Sequence, residues 1–76
     1  MKTVKIRLST ISDVRDFVNI VVAYDGEVDL ISGRYVVDGK SIMGIFSLDL
    51  LSPITLRTEG PDADDLIKKL GNYIVD

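Results

Sequence analysis

Hydrophobic and polar positions alternate from Thr3 to Leu8, with Val4, Ile6 and Leu8 on one side and Lys5 and Arg7 on the other. A period of two predicts a strand buried on one face. After Ser9-Thr10-Ile11 the period lengthens. Val14, Phe17, Val18, Val21 and Val22 recur at helical spacing, with Ser12 as the expected N-cap and Asp13 near the positive end of the helix dipole. Its many β-branched residues are weak helix formers, so this helix must draw its stability from tertiary packing. Tyr24-Asp25-Gly26 reads as its stop.

Alternation resumes at Val28-Asp29-Leu30 and again at Tyr35-Val36-Val37, with Ser32-Gly33 turning between them, which predicts a β-hairpin. Ser41 to Leu48 reads as a short helix capped by Ser41 and burying parts of Ile42, Ile45 and Leu48; Ser52-Pro53 ends that region. Ile54 and Leu56 alternate with Thr55 and Arg57 in a fourth strand. Gly60-Pro61-Asp62-Ala63-Asp64-Asp65 then has the Pro and acidic first turn of a helix start, and the last helix is expected to bury Leu66, Ile67, Leu70, Tyr73 and Ile74.

The predicted order is β-α-β-β-α-β-α. Each strand supplies a single apolar face and each helix needs one to pack on, so the expected fold is α+β: a four-stranded antiparallel sheet covered on one face by three helices. The other face is expected to be wet, with Lys5, Arg7, Asp29, Thr55 and Arg57 in cross-strand polar and charged pairs. The 76 residues, 46% of them apolar, suffice for a single domain over residues 1–76 with a small core.

Composition narrows the chemistry more than the fold. Cysteine is absent, which removes disulfides and thiolate chemistry and fits a cytoplasmic setting. Histidine is absent too, and with it the commonest general base and metal ligand. The net charge of −3 gives no broad attraction to nucleic acid or anionic lipid. Met1-Lys2-Thr3-Val4-Lys5 alternates instead of opening a hydrophobic run, so no secretion signal is expected, and no stretch reaches the roughly 20 apolar residues of a membrane span.

Local motifs add little catalytic promise. Gly39-Lys40-Ser41 resembles the end of a phosphate loop, but Arg34 stands where that loop needs its first glycine. Asp62, Asp64 and Asp65 lack the spacing of a calcium loop and suit the first turn of a helix. Nothing singles out a metal site, a catalytic residue or a cofactor.

One segment carries more. Lys40-Ser41-Ile42-Met43-Gly44-Ile45-Phe46-Ser47-Leu48 closely resembles the Lys-Ser-Ile-Met-Gly-hydrophobic-Met-Ser-Leu run of HPr, the histidine-containing phosphocarrier of the bacterial phosphoenolpyruvate-dependent sugar phosphotransferase system. Val28-Asp29-Leu30 stands where the family has its Val-Asn-Leu strand, and the Gly-x-Asp start of the last helix and the order of elements agree as well. The resemblance implies the HPr-like open-faced β-sandwich. In that family the phosphoryl group travels on a histidine in a Gly-Ile/Leu-His-Ala-Arg-Pro-Ala loop at the start of the first helix. Counting back from Ser41 without gaps puts Thr10 at the histidine, Ile11 at the alanine, Ser12 at the arginine and Asp13 at the proline, whereas the first strand aligns only with residues deleted from the loop. Ser9, Thr10, Ile11 and Ser12 therefore form a degenerate phosphocarrier loop.

In low-GC Gram-positive relatives the serine of the second motif is phosphorylated by HPr kinase/phosphorylase, and the product is corepressor for a carbon-catabolite repressor. A paralogue group, the catabolite-repression HPr, lacks the histidine and keeps that serine. By this resemblance the chain is a non-catalytic regulatory or docking module, with Ser41 as the modified hydroxyl and Lys40, Ile42, Met43 and Phe46 around it for protein partners: the kinase, a transcriptional repressor or a phosphotransferase component. Two alternatives stay open. One is a divergent phosphoacceptor using Thr10, Ser9 or Ser12; the other is a structural paralogue with an unrelated partner on the sheet face around Arg7, Arg57 and Asp29. Retention of the serine motif for helix capping and packing alone is the purely structural reading.

Overall fold

Apolar side chains on alternate positions of four strands converge on one face of a single antiparallel sheet. The strands are β1 (Lys2–Ile6), β2 (Glu27–Ser32), β3 (Tyr35–Asp38) and β4 (Ile54–Glu59), in spatial order β1-β4-β2-β3. Helices α1 (Ile11–Val22), α2 (Ile42–Phe46) and α3 (Ala63–Lys69) connect or follow them, and a 3-10 turn spans Gly71–Tyr73. The structure is a computed structural model and describes residues 1–75. The order of elements and the open-faced arrangement are those the hydrophobic pattern predicts.

Register explains the core. Val4 and Leu30 both pair with Leu56, Ile6 pairs with Ile54 and Val28 with Thr58, so these side chains share the helix-covered face. Val14, Phe17 and Val21 of α1, Ile45 of α2 and Leu66 of α3 close over them. Phe17 is fully buried, a burial typically worth roughly 1.5–3 kcal/mol, and its ring meets Tyr73 edge-on at 6.2 Å. Thr58 is the one polar side chain buried among the described residues, and its hydroxyl donates to the Glu27 carbonyl at 2.8 Å. On the opposite face Asp29 and Arg57 stand directly across from each other and pair at 3.1 Å, the charged cross-strand contact expected there. Arg7 does not join them; its guanidinium donates to the Leu51 carbonyl at 3.2 Å.

Several boundaries move, each for a local reason. β1 ends at Ile6, not Leu8, because its partner strand begins at Ile54, directly after Pro53, which has no N–H to offer. Leu8 is nonetheless fully buried. The N-cap of α1 is Thr10, not Ser12, and Val22 is exposed, pointing away from the sheet, instead of joining the apolar stripe. α2 is shorter than the expected 41–48. Ile67 is half-buried. The last helix stops at Lys69, just before Gly71, so Tyr73 and Ile74 lie beyond it. Ile74 instead bridges Ile6, and Val75 N–H donates to Lys5 O at 2.8 Å, so Ile74 and Val75 lie along the outer edge of β1. The acids of the α3 first turn are also more engaged than a dipole argument requires: Asp64 pairs with Lys2 at 3.1 Å and Asp65 with Lys69 at 3.3 Å.

Candidate functional site

The turn from β3 into α2 is built by three residues in succession. Asp38 Oδ1 accepts from Lys40 N–H at 2.9 Å, a side-chain turn closed two residues on, while Ser41 N–H donates to the Asp38 carbonyl at 3.0 Å. Gly39 is buried between them and gives its N–H to Val28 O at 2.7 Å; a Cβ there would lie 2.6 Å from Val28 Cγ1, so no side chain fits. The chain is thereby held against β2 and Ser41 is delivered to the start of α2.

Ser41 is the N-cap of α2, in extended conformation, and its Oγ accepts from Gly44 N–H at 3.2 Å. Space beside it is limited: a Cβ on Gly44 would sit 3.3 Å from both Ser41 Oγ and Val37 Cβ, a tight contact. The residues that follow divide by face. Ile45 is fully buried, whereas Ile42, Met43 and Phe46 are 38%, 78% and 42% exposed. A half-buried hydroxyl thus borders an apolar surface patch made by the outer side of one short helix. Lys40 does not contribute its charge to this patch. Its ammonium donates to the Tyr24 carbonyl at 2.6 Å, tying the turn to the end of α1.

The second candidate segment, Ser9 to Ser12, is closed upon itself. Thr10 Oγ1 accepts from Asp13 N–H at 3.0 Å, and Asp13 Oδ2 accepts in return from Ser9 N–H at 3.0 Å and Thr10 N–H at 3.3 Å. This reciprocal capping box uses the Thr10 hydroxyl as an acceptor and places a carboxylate on the two amides that precede the helix. Ile11 is 76% exposed and Ser12 is exposed in the first turn. Nearby, the Tyr73 hydroxyl titrates above the ordinary 10.0, mainly because burial disfavours the phenolate and secondarily because Asp16 and Asp13 repel it.

The Ser41 region and the Ser9–Ser12 loop were both marked by the sequence; the residues that hold them were not. Asp13 reads as a dipole partner, though Thr-x-x-Asp is a capping-box pattern, and Asp38-Gly39 carries an ordinary turn signal. Tyr24 as the acceptor for Lys40 has no local signal.

Comparison with known proteins agrees with this architecture. The family model described as the PTS HPr component phosphorylation site matches residues 13–76, so the match starts just after the Ser9–Ser12 loop. No curated protein matches the chain. Among solved structures, HPr-C-His from Thermoanaerobacter tengcongensis superposes with a TM-score of 0.82 at 29% identity, over 95% of this chain and 89% of its own. The phosphocarrier protein HPr of Bacillus anthracis gives 0.76 at 30% identity, over 97% and 94%. The Bacillus subtilis catabolite-repression protein Crh, described as a domain-swapped dimer, gives 0.70 at 30% identity, over 91% and 80%. With the family model matched along residues 13–76 and a superposition on the Bacillus anthracis phosphocarrier over 97% of the chain at 30% identity, the chain belongs to the HPr family of the sugar phosphotransferase system.

Proposed function

We propose that this chain is a regulatory docking module of the phosphotransferase or carbon-catabolite-repression system, switched by phosphorylation of Ser41 and carrying no phosphoryl group on histidine. The observation that carries the reading is the exposed trio Ile42, Met43 and Phe46 bordering the half-buried Ser41 hydroxyl in an HPr-family chain that contains no histidine. A protein surface of this size takes an adaptable apolar partner, and Met43 supplies a flexible contact. Lys40 is occupied at Tyr24, so docking rests on the apolar residues and the counter-charge for a Ser41 phosphate comes from the partner's Arg or Lys.

In the proposed step the Ser41 Oγ attacks the γ-phosphorus of ATP: the Oγ–P bond forms, the bond from that phosphorus to the bridging oxygen breaks, ADP leaves, and the hydroxyl proton passes to a base of the kinase. The product ester replaces a neutral cap with an anionic one at a helix start, which favours negative charge. The alternative acceptors in the first loop are disfavoured. The Asp13 carboxylate on the Ser9 and Thr10 amides repels an incoming phosphoryl group.

Incubation with ATP and HPr kinase/phosphorylase tests the proposal. One phosphate per wild-type chain, none on Ser41→Ala, and slowed incorporation in Met43→Asp are expected. No incorporation under conditions that label authentic HPr overturns the phosphoserine switch, and an unchanged rate in Met43→Asp overturns the docking patch. Acid-stable label on Ser9, Thr10 or Ser12 after incubation with phosphoenolpyruvate and the general phosphotransferase enzyme supports the alternative acceptor.

A further inference from the structure

The two edges of the sheet are finished differently. The outer edge of β1 is covered by the segment from Tyr73 to Val75, through Arg7 N–H to Tyr73 O and Val75 N–H to Lys5 O, both 2.8 Å. The outer edge of β3 is open. It reads Tyr-Val-Val-Asp, with no Pro or Lys to discourage pairing, and Tyr35 and Val36 are 73% and 56% exposed.

The hydrogen-bond parity of β3 is fixed by its pairing with β2. Ser32 faces Tyr35 across the two-residue turn, Leu30 faces Val37, and Gly39 N–H donates to Val28 O, so the odd-numbered residues direct their backbone groups inward. Val36 therefore directs its N–H and C=O to the free edge and Asp38 its N–H, the Asp38 carbonyl already accepting from Ser41 N–H at 3.0 Å. Charge along this edge is also unbalanced. The β2–β3 register opposes Asp38 to Asp29, a like-charge pair, and Arg57 neutralises only Asp29 at 3.1 Å. Among the described residues neither Asp38 nor the exposed Arg34 of the hairpin turn has a partner of opposite charge.

We propose that β3 is a self-association edge, at which a second copy of this chain pairs antiparallel about a two-fold axis through Val36 to give a continuous eight-stranded sheet. A two-fold axis normal to the sheet must set one residue opposite itself. With Val36 at the axis, the two Val36 residues exchange N–H to C=O bonds, Tyr35 faces the partner's Val37, and Arg34 faces the partner's Asp38 on both sides of the axis. With Val37 at the axis, Arg34 would face the partner's Lys40, a like-charge contact. Charge selects the Val36 register, and it supplies Asp38 with the cation its own chain lacks. The four residues of β3 make an edge only about 13 Å long, so the interface falls in the small, transient class and the dimer forms at high micromolar concentration.

Sedimentation velocity from about 10 µM to about 1 mM tests this, with amide hydrogen exchange read at both ends of the range. Wild-type mass should rise toward twice the 8.4 kDa of the monomer, and the Val36 and Asp38 amides should gain protection with concentration while those of Tyr35 and Val37 stay constant. Arg34→Glu, a change confined to an exposed turn, reverses both cross-axis pairs and should weaken association on the order of tenfold; raised salt should weaken the wild type alone. Val36→Pro removes the outward N–H and should leave a monomer. A mass constant at 8.4 kDa throughout overturns the proposal, as does a dimer that Arg34→Glu leaves intact, the behaviour of a swapped dimer joined elsewhere.

Discussion

Replacing Ser41 by alanine removes the only side-chain acceptor that reaches the amides of α2 among the described residues, the 3.2 Å bond from Gly44 N–H. α2 has five residues, too few to persist without tertiary packing and a cap, so loss of the cap falls on the whole element. Loss of an N-cap side chain costs about 0.5–2 kcal/mol, with about 1 kcal/mol suited to a half-buried site whose orphaned amide retains some access to water. For a domain of this size about 1 kcal/mol corresponds to a fall in Tm of roughly 4–8 °C. The urea midpoint should fall in step while the slope m stays constant, because no new surface is exposed in the native state. Ser41→Asp is the control. Aspartate caps as well as serine and favours the positive end of the helix, so its Tm should stay within about 2 °C of wild type. Equal destabilisation by both variants, or no change in Ser41→Ala, refutes the capping geometry. The comparison also protects the functional assay: if Ser41→Ala fails to take up phosphate while still folded, the missing label reports the hydroxyl and not a lost domain.

Three further perturbations probe the surroundings of the site. Asp13→Ala deletes the carboxylate that accepts from Ser9 and Thr10 N–H and should cost about 1 kcal/mol in urea unfolding; an unchanged midpoint would show that the capping box contributes nothing. Tyr24→Phe removes a buried hydroxyl that has no hydrogen-bond partner among the described residues, so stability should hold or rise by up to about 1 kcal/mol, and a loss of that size would mean the hydroxyl is bonded in solution. The folded state holds the Tyr73 proton above the ordinary 10.0, so the unfolded chain releases it first and stability falls as pH rises from 10.0 toward the folded value, with the contribution intact below. Urea midpoints at pH 9 and 11 should therefore drop more in wild type than in Tyr73→Phe, which keeps the ring packed on Phe17; equal drops would remove Tyr73 as the cause.

The legible parts of the fold are those set by one face of one element. Alternation at Val4 and Ile6 and at Ile54 and Leu56, and helical spacing at Val14, Phe17 and Val21, locate the elements because each residue's burial follows from its own neighbours in sequence. The errors occur where a distant partner decides. Leu8 continues the alternation of β1 and is buried, yet its strand has ended because Pro53 stops the neighbouring one. Ile74 has the spacing of a continuing helix, but Gly71 releases the chain and the open edge of β1 captures it.

The same division runs through the site. The Lys40-to-Leu48 motif was conspicuous as a string, but its residues separate once folded: Ile45 and Leu48 go to the core, Met43 and Phe46 to the surface, and the Lys40 ammonium to a carbonyl sixteen residues earlier in the chain. A sequence motif cannot show which of its charges is already spent, because that depends on where α1 ends. The Ser9–Ser12 loop carries the converse lesson. Loss of histidine was visible as a count of zero, whereas the device that fills the space, Asp13 reaching back to two amides, became visible only as geometry. A carboxylate seated on helix-start amides provides the fixed negative charge that such amides favour, so the first loop is satisfied without an external anion. At α2 the capping hydroxyl likewise reaches a single amide, and the Asp38 carboxylate accepts from the Lys40 amide one residue before the cap, so both helix starts set a carboxylate beside the capping hydroxyl.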